Sequence, residues 1–177
     1  MKVFYGAYLL MGYAPLGATM KILLDTYSEC GSYHDMSEDY VLESDENDPF
    51  QHAILSDGCG GSIYTDVGAR LLCWTAKSVI LDFQEYLHGM EAESMGLHII
   101  TKADLIAKMM RITPFSLDAT LIVTYLLENS LYAHMYGDGV VITIDNDDHL
   151  NYEVVDYKPK NAPYYLSYLL NKKARLS

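Results

Sequence analysis

An aspartate that leads into a glycine-rich loop is the feature of this sequence with the clearest capacity for chemistry. The segment Ile54–Arg70 follows a predicted buried strand, His52–Ser56, with Asp57, a run of glycines and then a predicted helix. A strand holds such a carboxylate in a fixed place, and glycines let a ligand approach the backbone closely. Three interpretations are open: a metal-binding aspartate, a glycine-rich phosphate cradle, or an ordinary tight strand-to-helix turn.

Other carboxylates are expected to lie near Asp57. Glu38 and Asp39 precede a predicted strand, Tyr40–Leu42, which an acidic turn, Glu43–Pro49, joins to the strand that ends before Asp57. Two strands joined by such a turn form an antiparallel pair. The start of the first strand therefore lies beside the end of the second, which brings Glu38 and Asp39 towards Asp57.

Asp138, in a Gly-Asp-Gly turn, is a further candidate oxygen ligand. Mg²⁺ and Mn²⁺ prefer hard oxygen ligands, keep several waters, and need only one or two carboxylates from the protein. Two such ions can activate a water between them and clamp a phosphoryl oxygen. The carboxylates thus predict metal-assisted chemistry on a phosphate ester.

The two other chemical interpretations of the loop have weaker support. The loop has neither the Gly-Lys-Ser/Thr ending nor the G-x-G-x-x-G spacing of known phosphate-binding loops. An acidic residue at its start repels phosphate unless a cation intervenes. Cys59 as a nucleophile would need basic neighbours to lower its pKa, and Asp57 works against that. The loop therefore makes better sense with a metal than without one.

The composition limits the class of protein. The 177 residues include 24 acidic and 12 basic ones, for a net charge of −12. This balance argues against nucleic-acid binding, because few cations are present to replace the counterions of a phosphate backbone. Three scattered cysteines without a C-x-x-C pair predict neither a zinc site nor a disulfide framework, and they favour a reducing, cytoplasmic location. No apolar run is long enough to span a bilayer, so no membrane association is expected.

Helices are predicted in the middle of the chain. A long one is expected over Val67–Leu87, with an apolar stripe that places Trp74 in the core. A second is expected over Lys102–Arg111, after a loop, with Thr101 and Asp104 as a variant capping box.

Strands are predicted on both sides of these helices. Residues 1–19 read as an N-terminal extension, either an extra strand or a continuation from an upstream start, with a weak secretory signal as the alternative. A domain over residues 20–177 follows. The other predicted elements are a strand over Lys21–Thr26, a four-stranded meander over Asp118–Leu127, Leu131–Tyr136, Val140–Ile144 and His149–Tyr157, and a short strand or helical turn over Pro163–Leu170. Grouped strands and grouped helices in one chain indicate an α+β layered domain.

Four segments together resemble the metal-dependent protein phosphatases of type 2C, most closely their divergent bacterial and phage branch. Ser56–Ser62 with Asp66–Arg70 resembles that family's Asp-Gly loop and the helix after it. Ser37-Glu38-Asp39 resembles its Glu-Asp signature, Asp118-Ala-Thr-Leu-Ile its Thr-Leu strand, and Tyr136–Gly139 its Gly-Asp turn. The four segments occur in the family's order, over about Lys21 to Ile144.

The resemblance implies a fold and a site. The fold would be an α-β-β-α sandwich with two Mn²⁺ or Mg²⁺ ions between its sheets. Asp57 would bridge the ions and Gly58 would offer its carbonyl, Glu38 would hold a metal-bound water with Asp39 in support, and Asp138 would help to hold a third, weaker ion. The implied activity is hydrolysis of phosphoserine or phosphothreonine in a protein substrate by a metal-activated water.

The sequence also departs from the family pattern. His34 stands where the family has its phosphate-binding arginine, and we expect it to serve the same catalytic site. Cys59 stands where some members have a proton-donating histidine. The family's Ser-Asp-Gly motif, followed by an Asp-Asn pair, has no counterpart after Asp138, where Asp145, Asp147, Asp148 and Asp156 do not match the pattern. The domain is therefore expected to lack its C-terminal part. The alternative is a catalytically degenerate pseudophosphatase that acts as a binding module for a phosphoprotein or another partner.

Overall fold

The long helices lie together in the middle of the chain, with strands before and after them, as the sequence predicts. A computed structural model describes residues 6–11, 22–27, 37–128, 130–144, 149–155 and 164–171. The strands are β1 Gly6–Met11, β2 Ile22–Tyr27, β3 Tyr40–Glu43, β4 His52–Ser56, β5 Leu121–Leu127, β6 Ser130–Tyr136, β7 Gly139–Ile144 and β8 Leu150–Val155, and the helices are α1 Thr65–Asp82 and α2 Ala92–Met110. Short 3₁₀ helices span Leu87–Gly89, Pro114–Leu117 (the middle 3₁₀ helix) and Leu166–Asn171 (the C-terminal 3₁₀ helix).

A four-stranded antiparallel sheet in the order β3-β4-β5-β6 carries the site. The predicted hairpin of β3 and β4 is confirmed, with Tyr40 opposite Ser56. Along β5 the burial alternates, and Leu121, Val123 and Tyr125 are inaccessible to solvent. Such alternation is typical of a sheet with one face on the core. The chain is therefore an α+β protein built on antiparallel sheets.

The two helices form one layer on this sheet and share its core. Ala69, Leu72, Ala76 and Ile80 recur at helical spacing along α1, and each is fully buried. Leu72, Ala76 and Ile80 belong to one apolar cluster with side chains of α2, β4 and β5. The small alanines let α1 lie close to its neighbours, which fixes where the helix begins relative to the glycine loop.

The prediction for α1 is wrong at Trp74 and at the end of the helix. Trp74 was expected in the core but is 53% exposed, and the helix ends at Asp82 rather than at Leu87. The prediction followed the largest apolar side chains, whereas the face that packs consists largely of small residues such as Ala69, Cys73 and Ala76. Of the other apolar residues in the predicted stripe, Val79 is buried and Leu71 and Phe83 pack against the core, so Trp74 is the exception.

The second helix begins earlier than predicted. α2 starts at Ala92, so Thr101 and Asp104 lie inside it and the proposed capping box is wrong. Gly96 favoured a loop in the sequence, but it lies inside α2, where a Cβ atom would come within 2.7 Å of Leu166 and 2.8 Å of Tyr136. The glycine serves close packing there, not a turn. The helix stops at Arg111, which has a positive φ of 59°.

The predicted four-stranded meander is divided between two sheets. β5 and β6 complete the large sheet, whereas β7 and β8 form a separate two-stranded ribbon. Gly137, with φ of 91°, turns the chain between β6 and β7, and a Cβ atom there would lie 3.0 Å from Thr120. One face of the ribbon is apolar and exposed to solvent; its residues, which pair across the two strands, are Val140, Ile142, Tyr152 and Val154. β1 and β2 make a further antiparallel pair.

Candidate functional site

An acidic pocket of about 460 Å³ opens at one end of the large sheet. β4 and β6 end there and β3 and β5 begin there, because neighbouring strands are antiparallel. Four separate parts of the chain therefore meet at this end, together with the residues just before the C-terminal 3₁₀ helix. The pocket is lined by Glu38, Asp57, Gly58, Cys59, Gly60, Thr120, Asp138 and Tyr165.

Backbone hydrogen bonds hold the walls of the pocket together. The N–H of Thr120 donates to the carbonyl of Asp57 at 2.9 Å, and the N–H of Gly58 donates to the carbonyl of Glu38 at 3.2 Å. The N–H of Asp57 donates to Oγ1 of Thr120 at 3.2 Å. A Cβ atom on Gly58 would lie 2.8 Å from the Glu38 carbonyl and 2.9 Å from Cβ of Thr65. Glycine is required there because three chain segments converge on it.

Three carboxyl groups converge within this frame. Burial among the pocket walls raises the pKa of Asp57 to about 7, and a side-chain hydrogen bond with Asp39 and the negative charges of Asp39 and Asp138 add to the increase. Asp57 still presents surface to the solvent that fills the pocket mouth. No lysine or arginine is among the described residues that line the pocket. Negative charge is therefore concentrated at this end of the sheet.

The structure brings together most of the residues that the sequence singles out. Asp57, Gly58, Glu38 and Asp138 line the pocket, and Asp39 interacts with Asp57 from beside it. The prediction that Glu38 and Asp39 lie near Asp57 is thus confirmed. His34 lies outside the described residues.

Three residues of the site were missed by the sequence analysis. Thr120 and Tyr165 line the pocket. The Asp118 carboxylate accepts hydrogen bonds from Ser62 Oγ at 3.2 Å and from Ser167 Oγ at 2.5 Å. It ties the glycine loop to the C-terminal 3₁₀ helix. The Asp118-Ala-Thr motif was the only local signal, and it does not reveal a contact with the tail of the chain.

Replacing Asp118 with alanine is expected to remove the hydrogen bonds to Ser62 and to Ser167 at once, and so to weaken the contact between the glycine loop and the C-terminal 3₁₀ helix. Each lost bond joins a hydroxyl to a partly buried carboxylate, so we expect a loss of about 2 kcal/mol in the free energy of unfolding, measured by urea denaturation. Asp82→Ala is the matched control, because the Asp82 side chain is 59% exposed and pairs with Lys102 on the surface of α1, and it should cost no more than about 1 kcal/mol. Equal losses in the two variants would contradict the bridging role of Asp118.

The donor chemistry of the pocket fits a divalent cation better than an anion. Its charged groups are carboxylates, and a cation would relieve their mutual repulsion. In the described parts of the chain, however, no group of three or more Asp, Glu, His or Cys side chains is already arranged to hold a metal ion. Magnesium and manganese keep several waters, so two carboxylates with a backbone carbonyl meet their minimum requirement.

A second cavity, of about 480 Å³, lies on the outer side of α1 and α2. Its charged side chains are already paired: Lys102 with Asp82 at 3.0 Å, and Lys108 with Asp104. The acidic pocket is therefore the better candidate for chemistry.

Comparisons with models of known protein families, with curated proteins and with solved structures found no match to this chain. Among the described residues, neither α1 nor α2 combines the length and apolar character needed to cross a membrane.

Proposed function

We propose that this protein is a metal-dependent serine/threonine phosphatase that works at the acidic pocket with two Mn²⁺ or Mg²⁺ ions, and a third where Asp138 supports one. The observation that carries the proposal is the convergence of Asp39, Asp57 and Asp138 at one end of the large sheet. The sequence resemblance to the type 2C phosphatases supports it, since the residues that carry the resemblance are those that meet in the pocket.

Each residue of the pocket has a part in this proposal. The Asp57 carboxylate and the Gly58 carbonyl would hold the ions, with Glu38, Asp39 and Asp138 around them. The bound ions would supply an activated water and stabilise charge on a phosphoryl oxygen. The two hydrogen bonds between Thr120 and the Asp57 backbone fix the point from which the carboxylate extends, which limits the reorganisation needed when substrate binds.

The same proposal extends to the fold. In an α-β-β-α sandwich, α1 and α2 would be one outer layer and the large sheet would be the layer beneath it. The ribbon of β7 and β8 would belong to the second sheet. Its exposed apolar face is compatible with a position between layers.

A second candidate function is a pseudophosphatase that binds a phosphorylated partner without hydrolysing it. It is favoured by the absence of an arginine from the described lining of the pocket. Such a module would use the same pocket for recognition alone.

Hydrolysis assays on the full chain separate the two functions. We expect release of phosphate from para-nitrophenyl phosphate and from a phosphothreonine peptide in Mn²⁺, and loss of this activity on chelation with EDTA. Calorimetry should show Mn²⁺ binding to the same preparation. Metal binding without hydrolysis would favour the pseudophosphatase, and the absence of both would refute the metal-dependent proposal.

A further inference from the structure

The segment at the C-terminal 3₁₀ helix forms one wall of the acidic pocket. Tyr165, Leu166 and Ser167 are 8%, 3% and 6% exposed, so this short segment is packed into the protein. Leu166 belongs to the apolar core, and Ser167 donates its hydroxyl to the Asp118 carboxylate. Because its neighbours are fixed in this way, the Tyr165 ring has a defined position in the wall.

The phenol of Tyr165 is directed towards the glycine loop. Cys59, the residue after the Asp57-Gly58 pair, lines the same pocket as Tyr165 and lies close to it. Burial, the contact with Cys59 and the nearby negative charges raise the pKa of Tyr165 above its ordinary value. The phenol therefore keeps its proton and remains a hydrogen-bond donor at any working pH.

The pocket needs donors of this kind to hold a phosphoryl group. The charged residues among its described lining, Glu38, Asp57 and Asp138, all repel phosphate oxygens. The side chains there that can donate are neutral: Cys59, Thr120 and Tyr165. Thiols are weak donors, and a phenol O–H is intrinsically a stronger donor than the aliphatic hydroxyl of Thr120. Tyr165 is thus the strongest neutral donor available in this part of the chain.

We propose that Tyr165 is a phosphate-binding residue whose phenol donates a hydrogen bond to a phosphoryl oxygen of the substrate, a task that an arginine performs in the type 2C phosphatases that the sequence resembles. This inference rests on the proposed function, because it assumes a phosphorylated ligand in the acidic pocket. A neutral donor suits this pocket, since it orients a phosphoryl oxygen without competing with a metal ion for the carboxylates. The packed neighbours Leu166 and Ser167 hold the Tyr165 ring in the wall before the ligand arrives.

Tyr165→Phe tests the inference, because it removes the hydroxyl and keeps the ring that packs in the wall. We expect the variant to raise the KM for a phosphothreonine peptide about tenfold with little change in kcat. In Mn²⁺, its affinity for a peptide with a non-hydrolysable phosphonate analogue should fall by the same factor. Calorimetric affinity for Mn²⁺ alone should not change. Tyr164→Phe is the control, because Tyr164 is 61% exposed and does not line the pocket.

The outcomes distinguish this inference from the proposed function. A wild type that hydrolyses the peptide, with unchanged analogue affinity in Tyr165→Phe, overturns the role of Tyr165 alone. A loss of Mn²⁺ affinity matching the loss of analogue affinity also overturns it, because the phenol would then act through the metal site. A wild type that binds the analogue through Tyr165 but hydrolyses nothing supports the inference and overturns the phosphatase. Absence of both binding and hydrolysis overturns both.

Discussion

Asp57→Asn is expected to abolish Mn²⁺-dependent hydrolysis and, in the metal-free protein at pH 8, to increase stability. The amide cannot carry the negative charge that the proposed ions require, so we expect kcat/KM to fall by at least about a hundredfold. The same substitution removes a charge that Asp39 and Asp138 disfavour. One residue would thus be needed for function and unfavourable for the stability of the free protein.

The sign of the pH dependence follows from the raised pKa of Asp57. The folded protein holds this proton up to about pH 7, whereas the unfolded chain releases it near the ordinary value of 3.8. Between these values the folded state binds more protons, so the stability of the wild type should fall as pH rises through this window. Asp57→Asn should flatten that fall. Thermal unfolding in EDTA from pH 4 to pH 8 measures the difference between the two proteins.

Asp82→Asn is the control for both measurements. Asp82 lies on α1, its side chain is 59% exposed, and it pairs with Lys102 at 3.0 Å, away from the pocket. This variant should retain hydrolysis and the wild-type pH profile of unfolding. Retention of hydrolysis by Asp57→Asn would contradict the proposed site, and an unchanged pH profile would contradict the proximity of the three carboxyl groups.

Gly68→Ala is expected to cause the largest loss of stability among glycine substitutions in the helices. A Cβ atom at Gly68 would come within 1.6 Å of the Ser116 carbonyl oxygen, which is backbone and cannot rotate away. α1 and the middle 3₁₀ helix must therefore separate. Overpacking of this kind outweighs the gain in helix propensity from alanine, and we expect a loss of at least about 2 kcal/mol in the free energy of unfolding.

The displacement caused by Gly68→Ala should also reach the pocket, because Asp118 and Thr120 come soon after the middle 3₁₀ helix in the chain. Gly89→Ala is the matched control: Gly89 also lies in a helical segment, yet a Cβ atom there meets nothing within 4 Å. The free energy of unfolding of Gly89→Ala, measured by urea denaturation, should be close to that of the wild type. A Gly68→Ala protein as stable as Gly89→Ala would contradict the close approach of α1 to Ser116.

Local sequence signals predicted the half of the site that lies within one hairpin. A turn rich in Asp and Asn between two apolar runs is enough to pair β3 with β4, and the pairing alone brings Glu38 and Asp39 towards Asp57. The bounds of β4 were predicted as the structure has them, because a buried strand ends clearly at a charged residue and glycine.

The parts that sequence did not predict depend on packing between distant segments. Which face of α1 is buried was decided by how closely its small residues fit the sheet, so large Trp74 was left outside. The roles of Asp118 and Tyr165 arise from contacts with residues far along the chain. Neither the hydrophobic periodicity of the sequence nor a short motif predicts a contact between residues so far apart in the chain. Whether the acidic pocket binds metal and hydrolyses phosphate stays a prediction.

The walls of the pocket also set an order of events during folding. Asp57 contacts Thr120 across 63 positions, Ser62 contacts Asp118 across 56, and Ser167 contacts Asp118 across 49. Each contact closes a long loop of the chain. The conformational entropy of that loop must be lost before the contact forms. The hairpin of β3 and β4 and the helices need only local contacts and can form first. The pocket is therefore assembled late, and a chain still emerging from the ribosome cannot complete it until Tyr165 is free to dock.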